Sequence, residues 1–373
     1  MHKRYKSLGL MSGTSGDGVD ASIIESNGVN EYELIEEKYF EYKPEIYRNF
    51  HKLKENVNKY EDISKLRTEL SDLERDITIF HSKIIKEFEN SHLDFLVGFH
   101  GQTIYHNPKE KISQQLGDGY LLHQLTKKKI IYNFRNNDIS DGGEGAPLTP
   151  IFHQLIATQK NFKLPVCFLN IGGISNITLI NEAIGSNNFF SKDIGPGNCL
   201  IDSWVRKNSR KKYDYNGSLA SNGSLNEIIL EQAQELYFNR TIKDKLSLDV
   251  NDFDVSFARG LSLEDGSKTL TEFTASIISE SLLNYFKNLN IQVKDILICG
   301  GGRKNKILTQ SIKDKLNPNH NLKLIDDYKI DGDFVESQAF AFLAIRSYLK
   351  LPITFPGTTG CNKPCLGGDL IQD

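Results

Sequence analysis

Twice in this chain an apolar strand runs into a glycine-punctuated turn and leaves it as a second strand, and this repeat limits the folds open to it. The first copy is Leu8–Ser22: Gly13, Gly16 and Gly18 stand in the turn with Ser12, Thr14 and Ser15, and a strand resumes over Val19–Glu25. Glycines let the backbone bend tightly and approach a ligand closely. Freed amides and hydroxyls in such a turn form a concavity for an anion. Asp17 and Asp20 add carboxylates of the kind that hold Mg²⁺ on a nucleotide. The second copy has the strand Val166–Asn170, the turn Gly172-Gly173 with Ser175 and Asn176, and a strand over Ile177–Ile180. A little under half the chain separates Gly13 from Gly172. One such loop would be an ordinary hairpin; two predict an internally duplicated fold with two phosphate-binding hairpins facing one another. A third cluster, Gly300-Gly301-Gly302, follows the apolar run Ile296–Cys299 and precedes Arg303 at a helix start, a ready nucleotide site. Neither Gly-x-x-x-x-Gly-Lys-Ser/Thr nor Gly-x-Gly-x-x-Gly follows a strand, so P-loop and Rossmann folds lose their main support.

Between these turns, helical and strand patterns alternate, which predicts an α/β fold. Ile63, Leu66, Leu70, Leu73, Ile77, Phe80 and Ile84 form one apolar helical stripe; Phe273–Phe286 forms a second. A third helix spans Val335–Leu349, with Asp333 placed to cap it. Phe95–Gly98 and Lys129–Phe134 read as buried strands. At 373 residues the chain suits two lobes, set here at 1–133 with about 340–373, and at 134–339. A net charge of −3 gives no general pull toward nucleic acid or anionic membrane. No stretch approaches a membrane helix and no signal-peptide core is visible, so a cytoplasmic enzyme is expected. Cys361 and Cys365 lie close in sequence, but no second Cys or His pair completes a zinc set; the five cysteines are expected as free thiols.

Order and spacing of motifs then carry a resemblance covering nearly the whole chain. They are Met11-Ser12-Gly13-Thr14-Ser15, Asp17-Gly18-Val19-Asp20, His100-Gly101-Gln102-Thr103, Gly117-Asp118, Phe134-Arg135 with Asp138-Ile139, and Gly145-Ala146-Pro147-Leu148. Asn170-Ile171-Gly172-Gly173-Ile174, Asp193 with Gly195-Pro196-Gly197-Asn198, Cys299-Gly300-Gly301-Gly302, and Gly332-Asp333 with Glu336 follow. The chain resembles the anhydro-N-acetylmuramic acid kinases of the sugar kinase/Hsp70/actin superfamily. The resemblance implies a two-lobed, actin-like ATPase fold of duplicated ribonuclease H-like units, with a ligand cleft between the lobes.

It also implies that ATP phosphorylates O6 of 1,6-anhydro-N-acetylmuramic acid while water opens the anhydro ring, in peptidoglycan recycling and amino-sugar catabolism. Asp193 would be the general base on that water; read alone, it is a turn-capping Asp. Glu336, read alone a first-turn helix residue, would bind the sugar or the water. The loop Gly13, Thr14, Ser15, Gly16, Asp17, Gly18, Val19, Asp20 would hold the ATP phosphates, with Gly172 and Gly173 opposite and Gly300, Gly301 and Gly302 at the nucleoside. Asp17 or Asp20 would reach Mg²⁺. Arg135 can clamp the lactyl carboxylate of the sugar, or serve only a surface ion pair. Gln102 and Thr103 suit sugar hydroxyls; Asp118 would hold the substrate or stabilise a turn. His100 and His106 are expected to be structural. Relatives suggest a homodimer.

Two departures stand out. Gly16 occupies a position where the family usually has Leu, which is expected to loosen the first loop. Ile194 replaces a usual Thr after the catalytic Asp. The role of Lys245–Asp249 stays unassigned. A kinase for another amino sugar needs no hydrolytic base, and Asp193 argues against it. An ATP-dependent binding protein of actin or Hsp70 type needs no sugar constellation, and Thr103, Arg135, Asp193 and Glu336 argue against that.

Overall fold

The computed structural model describes residues 3–182, 188–239, 248 and 250–373. In chain order, β1 (Tyr5–Ser12), β2 (Gly18–Ser26) and β3 (Tyr32–Glu41) lead to α1 (Pro44–Asn56), α2 (Tyr60–Lys65) and α3 (Arg67–Glu89). Then come β4 (Leu96–Asn107), β5 (Ile112–Leu116), α4 (Gly119–Thr126), β6 (Ile130–Tyr132), α5 (Asn136–Ser140) and α6 (Pro150–Gln159). The middle of the chain holds β7 (Val166–Ile171), β8 (Ile174–Ile180), β9 (Phe189–Pro196), α7 (Cys199–Asn208), α8 (Ser218–Asn222), α9 (Glu227–Phe238) and α10 (Leu263–Asn288). It continues with β10 (Asp295–Cys299), α11 (Lys306–Lys315) and β11 (Asn321–Leu324). The chain closes with α12 (Val335–Tyr348), α13 (Pro356–Thr359) and β12 (Asp369–Ile371).

These elements form two compact units. The first is Met1–Asn161, Ala183–Phe190 and Asp333–Asp373; the second is Phe162–Glu182 and Ser191–Gly332. The boundary expected at residue 133 therefore moves. Residues 134–161 stay with the first unit, where Phe152 of α6 packs edge-on against Tyr32 (ring centroids 5.0 Å) and tilted against Phe342 of α12 (5.7 Å). All of α12 belongs there too.

The duplication is written in the strand orders. The first unit's sheet runs β12-β6-β4-β1-β2-β3, with β5 paired to β4; the second runs β11-β10-β7-β8-β9. In the first, β1 pairs antiparallel with β2 and parallel with β4, and β4 pairs parallel with β6. In the second, β7 pairs antiparallel with β8 and parallel with β10, and β10 pairs parallel with β11. With β5 and β12 set aside as additions to the first sheet, each sheet has the order 3-2-1-4-5 along its own chain, opened by a hairpin. Parallel strands covered on both faces read as continuous apolar runs, and every residue of β7 is buried.

In the first unit α12 lies directly on the sheet. A Cβ on Gly9 of β1 would stand 1.9 Å from the Ser337 carbonyl, and one on Gly98 of β4 would stand 2.4 Å from the Phe340 carbonyl. Only glycine permits that approach. The predicted capping role of Asp333 is not what the structure shows: Phe334 occupies the cap position and its side chain makes no capping bond. The long stripe from Ile63 breaks at Leu66 into α2 and α3, and Leu70, Leu73, Ile77 and Ile84 form the buried face of α3. Among the described residues no helix is long and apolar enough to cross a membrane.

Candidate active site

The first hairpin turn joins β1 to β2. The Gly16 N–H donates to the Gly13 carbonyl at 3.1 Å, and Tyr42 N–H donates to the Asp17 carbonyl at 2.9 Å. Thr14 and Ser15 are exposed at the tip. A Cβ built on Gly13 would meet only Ser15 Oγ, at 3.8 Å, so the backbone is open to a close ligand. Gly16 is different. Its φ is +59°, and a Cβ there would lie 2.2 Å from the buried Phe50 ring. Phe50 thus packs directly against the turn, which closes on a left-handed residue. Gly18 is packed beneath Phe40 and Tyr39, and Val19 belongs to the core, so these two can serve a ligand only through the backbone.

Asp17 accepts from Ser15 Oγ at 2.5 Å. It also bonds Tyr39, whose hydroxyl pKa is pushed up first by burial and then by the charges of Asp17 and Asp20. Two carboxylates near one phenol on one hairpin make a hard-oxygen donor set that fits Mg²⁺.

The second hairpin repeats the layout between β7 and β8. A Cβ on Gly172 would meet only the Ile174 carbonyl, at 3.5 Å. The turn is braced from behind, where Asn198 N–H donates to the Gly172 carbonyl at 2.7 Å and Gly197 N–H donates to the Gly173 carbonyl at 2.9 Å. The third turn follows β10. Gly301 is open, its nearest neighbour being Asn198 Nδ2 at 4.0 Å. Gly300, at φ +79°, and Gly302 are packed against Asn170 and Ile171 and are structural. Each of the three glycine turns therefore has one glycine with room above it.

Asp193 lies inside β9, three residues before the strand ends, rather than in the turn that follows. It is 7% exposed, and its Oδ2 accepts the Leu248 N–H at 2.7 Å. Apart from Leu248, the Lys245–Asp249 segment lies outside the described residues. The next side chain, Ile194, is buried in the core of the second unit with Leu169, Ile278 and Ile298. An apolar side chain there serves packing.

In the first unit a cavity of about 240 Å³ is lined by Glu74, His100, Gln115, Gly117, Tyr132 and Asn136, among others. Arg135 is held beside it. Its Nη2 donates to His100 Nε2 at 2.8 Å, and its Nη1 donates to the Gly145 carbonyl at 2.7 Å. His100 Nδ1 donates to the Gly101 carbonyl at 2.8 Å, so Nε2 is the acceptor of a neutral ring. Burial, then the Arg135 charge, keep that ring's pKa well below the ordinary value. Arg135 is thus oriented by a neutral imidazole and a carbonyl. His106 bonds Ser113 Oγ at 2.9 Å, and burial lowers its pKa to about 3. Thr103 Oγ1 accepts from Gln115 Nε2 at 3.2 Å, and Glu336 sits in the first turn of α12.

Two expected sugar ligands have other employment. Gln102 is fully buried, and its Nε2 donates to the Gly13 carbonyl at 2.8 Å, so it braces the first hairpin. Asp118 Oδ1 accepts the Leu121 N–H at 2.9 Å as the cap of α4. Sequence reasoning missed Glu74, which accepts the Gly117 N–H at 3.1 Å and whose pKa is raised, chiefly by burial. Its one signal was a carboxylate on a helix beside an apolar stripe.

Two units of matched strand order, each opened by a glycine hairpin, define the duplicated actin-like ATPase class. The pattern of the anhydro-N-acetylmuramic acid kinase family matches residues 5–372, and this chain belongs to that family as one of its kinases. It is 53% identical to a Pelagibacter ubique (strain HTCC1062) protein of that name, over 100% of both chains. It is 34% identical to the namesakes from Agrobacterium fabrum (98% of each chain) and Gluconobacter oxydans (98% and 99%). Among solved structures it is similar to an activator of 2-hydroxyisocaproyl-CoA dehydratase from Clostridium difficile: TM-score 0.40, 12% identity, 92% and 96% covered.

Proposed function

We propose that this kinase transfers the terminal phosphoryl group of ATP to O6 of 1,6-anhydro-N-acetylmuramic acid while water opens the anhydro bridge. The product is N-acetylmuramic acid 6-phosphate, and the step belongs to cytoplasmic recovery of cell-wall fragments. The observation that supports this reading is the end-to-end match to relatives bearing that name.

The bonds balance as follows. Water oxygen bonds C1 of the sugar and the C1–O6 bond breaks. O6 takes the phosphoryl group and ADP leaves. The proton of the water passes to the Asp193 carboxylate and on to solvent. A buried carboxylate suits a general base when water lies within hydrogen-bond reach, and the Leu248 N–H keeps its second oxygen in place. The Gly13–Asp20 loop, open at Gly13, and the Gly172-Gly173 turn, open at Gly172, would take the phosphates, and Gly301 the nucleoside. Asp17 or Asp20 would hold the Mg²⁺ carried by ATP, which would supply charge neutralisation on the phosphates. Arg135 pairs with the lactyl carboxylate; Thr103 and Glu336 bind sugar or water. A homodimer is the assembly that the resemblance implies.

The test is phosphorylation of the anhydro sugar against N-acetylglucosamine, each with MgATP, read by mass. The reading requires product from the anhydro sugar and little from the other. Equal turnover of both would make this a general amino-sugar kinase.

A further inference from the structure

We propose that Cys361, Cys365, Asp138 and Asp141 form a binding site for a thiophilic divalent cation, Zn²⁺ being the best fit, within the first unit. Sequence spacing alone left the cysteine pair without partners. The fold supplies two carboxylates. A ligand atom from each of Asp138, Cys361 and Cys365 lies within 4.8 Å of the others, and all three residues are buried. Asp141 Oδ2 adds a fourth donor, 3.1 Å from Cys365 Sγ.

Two sulfurs and two oxygens are a ligand set that Zn²⁺ accepts in tetrahedral geometry. With Zn–S of about 2.3 Å and Zn–O of about 2.0 Å, ligand atoms stand roughly 3.3–3.8 Å apart. The Asp141–Cys365 separation is already that short, and contraction of about 1 Å brings the Asp138, Cys361 and Cys365 donors to that spacing, with Asp141 completing the set from its place beside Cys365. The backbone around the cluster is fixed independently of any cation. Cys365 N–H donates to the Thr354 carbonyl at 3.0 Å, Glu144 N–H to the Thr359 carbonyl at 2.8 Å, and Asn362 N–H to the Asp141 carbonyl at 3.2 Å. Asp138 is oriented by Thr359 Oγ1 at 2.6 Å and by the Gly145 N–H at 2.7 Å. The donors are therefore held together by a preformed scaffold. Asp138 also sits in α5, directly after Arg135, so a cation here would tie the Arg135 segment to residues 361–365.

The full-length protein, reduced and stripped of metal, is titrated with Co²⁺ alone. The site predicts one equivalent bound with thiolate-to-cobalt absorption, displaced by one equivalent of Zn²⁺. The band is lost in Cys361→Ser and Cys365→Ser and kept in Cys199→Ser. Absence of the band in the wild-type protein, or its survival in the double serine variant, would overturn the proposal. Because thiolate absorption reports only sulfur ligation, Co²⁺ bound at Asp17 and Asp20 does not mimic it.

Discussion

Asp193 carries the chemical burden of the proposed reaction. Asp193→Asn keeps the shape and the Leu248 hydrogen bond but cannot take a proton. Turnover should fall by 10²–10⁴ or more, while ATP affinity measured by calorimetry stays within about threefold; an active Asn variant would remove Asp193 from the role of base. Arg135→Ala should raise the sugar KM by about 10- to 100-fold, the value of a hydrogen bond to a charged group, and leave the KM for ATP unchanged. Parallel rises in both would take Arg135 out of the sugar site. At this scale the sequence was only partly legible. Read alone, Asp193 is a turn-capping Asp and Arg135 a surface ion-pair partner; only the family resemblance singles them out for the proposed roles. That Gln102 is spent on the Gly13 carbonyl depends on a partner 89 positions away. The neutral His100 beneath Arg135 likewise depends on burial that no motif states.

The hairpins were the most legible elements, because strand, turn and strand are contiguous and their patterning is local. The glycines within them differ in ways only packing shows. Gly13→Ala adds a methyl to open space, so the melting temperature should barely move while ATP affinity drops about tenfold or more. Gly16→Ala forces a side chain onto φ +59° and into the Phe50 ring. It should cost about 2–4 kcal/mol from left-handed strain and overpacking together. Thermal melts and ATP titrations of the two variants separate ligand approach from strain; the reverse pattern would mean that Gly13 is the structural residue. Helix ends were less legible. The periodicity ran through Leu66 without showing the break between α2 and α3, and Asp333 looked like a cap because Phe334 carries no polar signal.

At the scale of the molecule, the duplication could be read from two glycine turns, but the domain boundary could not. It follows the aromatic contacts of Phe152 with Tyr32 and Phe342, which join residues far apart in sequence. The first unit also holds the buried His81 and His153 and the partly exposed His106, whose pKa values desolvation lowers to about 4, about 3 and about 3 respectively. Their folded-state values lie below the unfolded one near 6.5, so the unfolded chain binds more protons at acid pH. Their contribution to stability is therefore complete above about pH 6.5 and is lost as pH falls toward 4. Each should contribute about 1–2 kcal/mol of destabilisation by pH 5. Urea midpoints at pH 7 and pH 5 check this, and equal midpoints would contradict it. The central claim, that one active site opens the anhydro ring with water and phosphorylates O6, has a direct measurement. The enzyme is incubated with ATP, Mg²⁺ and 1,6-anhydro-N-acetylmuramic acid in ¹⁸O-labelled water, and the product is weighed. One phosphate together with one ¹⁸O is the predicted result. A phosphorylated product without ¹⁸O would contradict the coupled reaction and the need for Asp193 as its base.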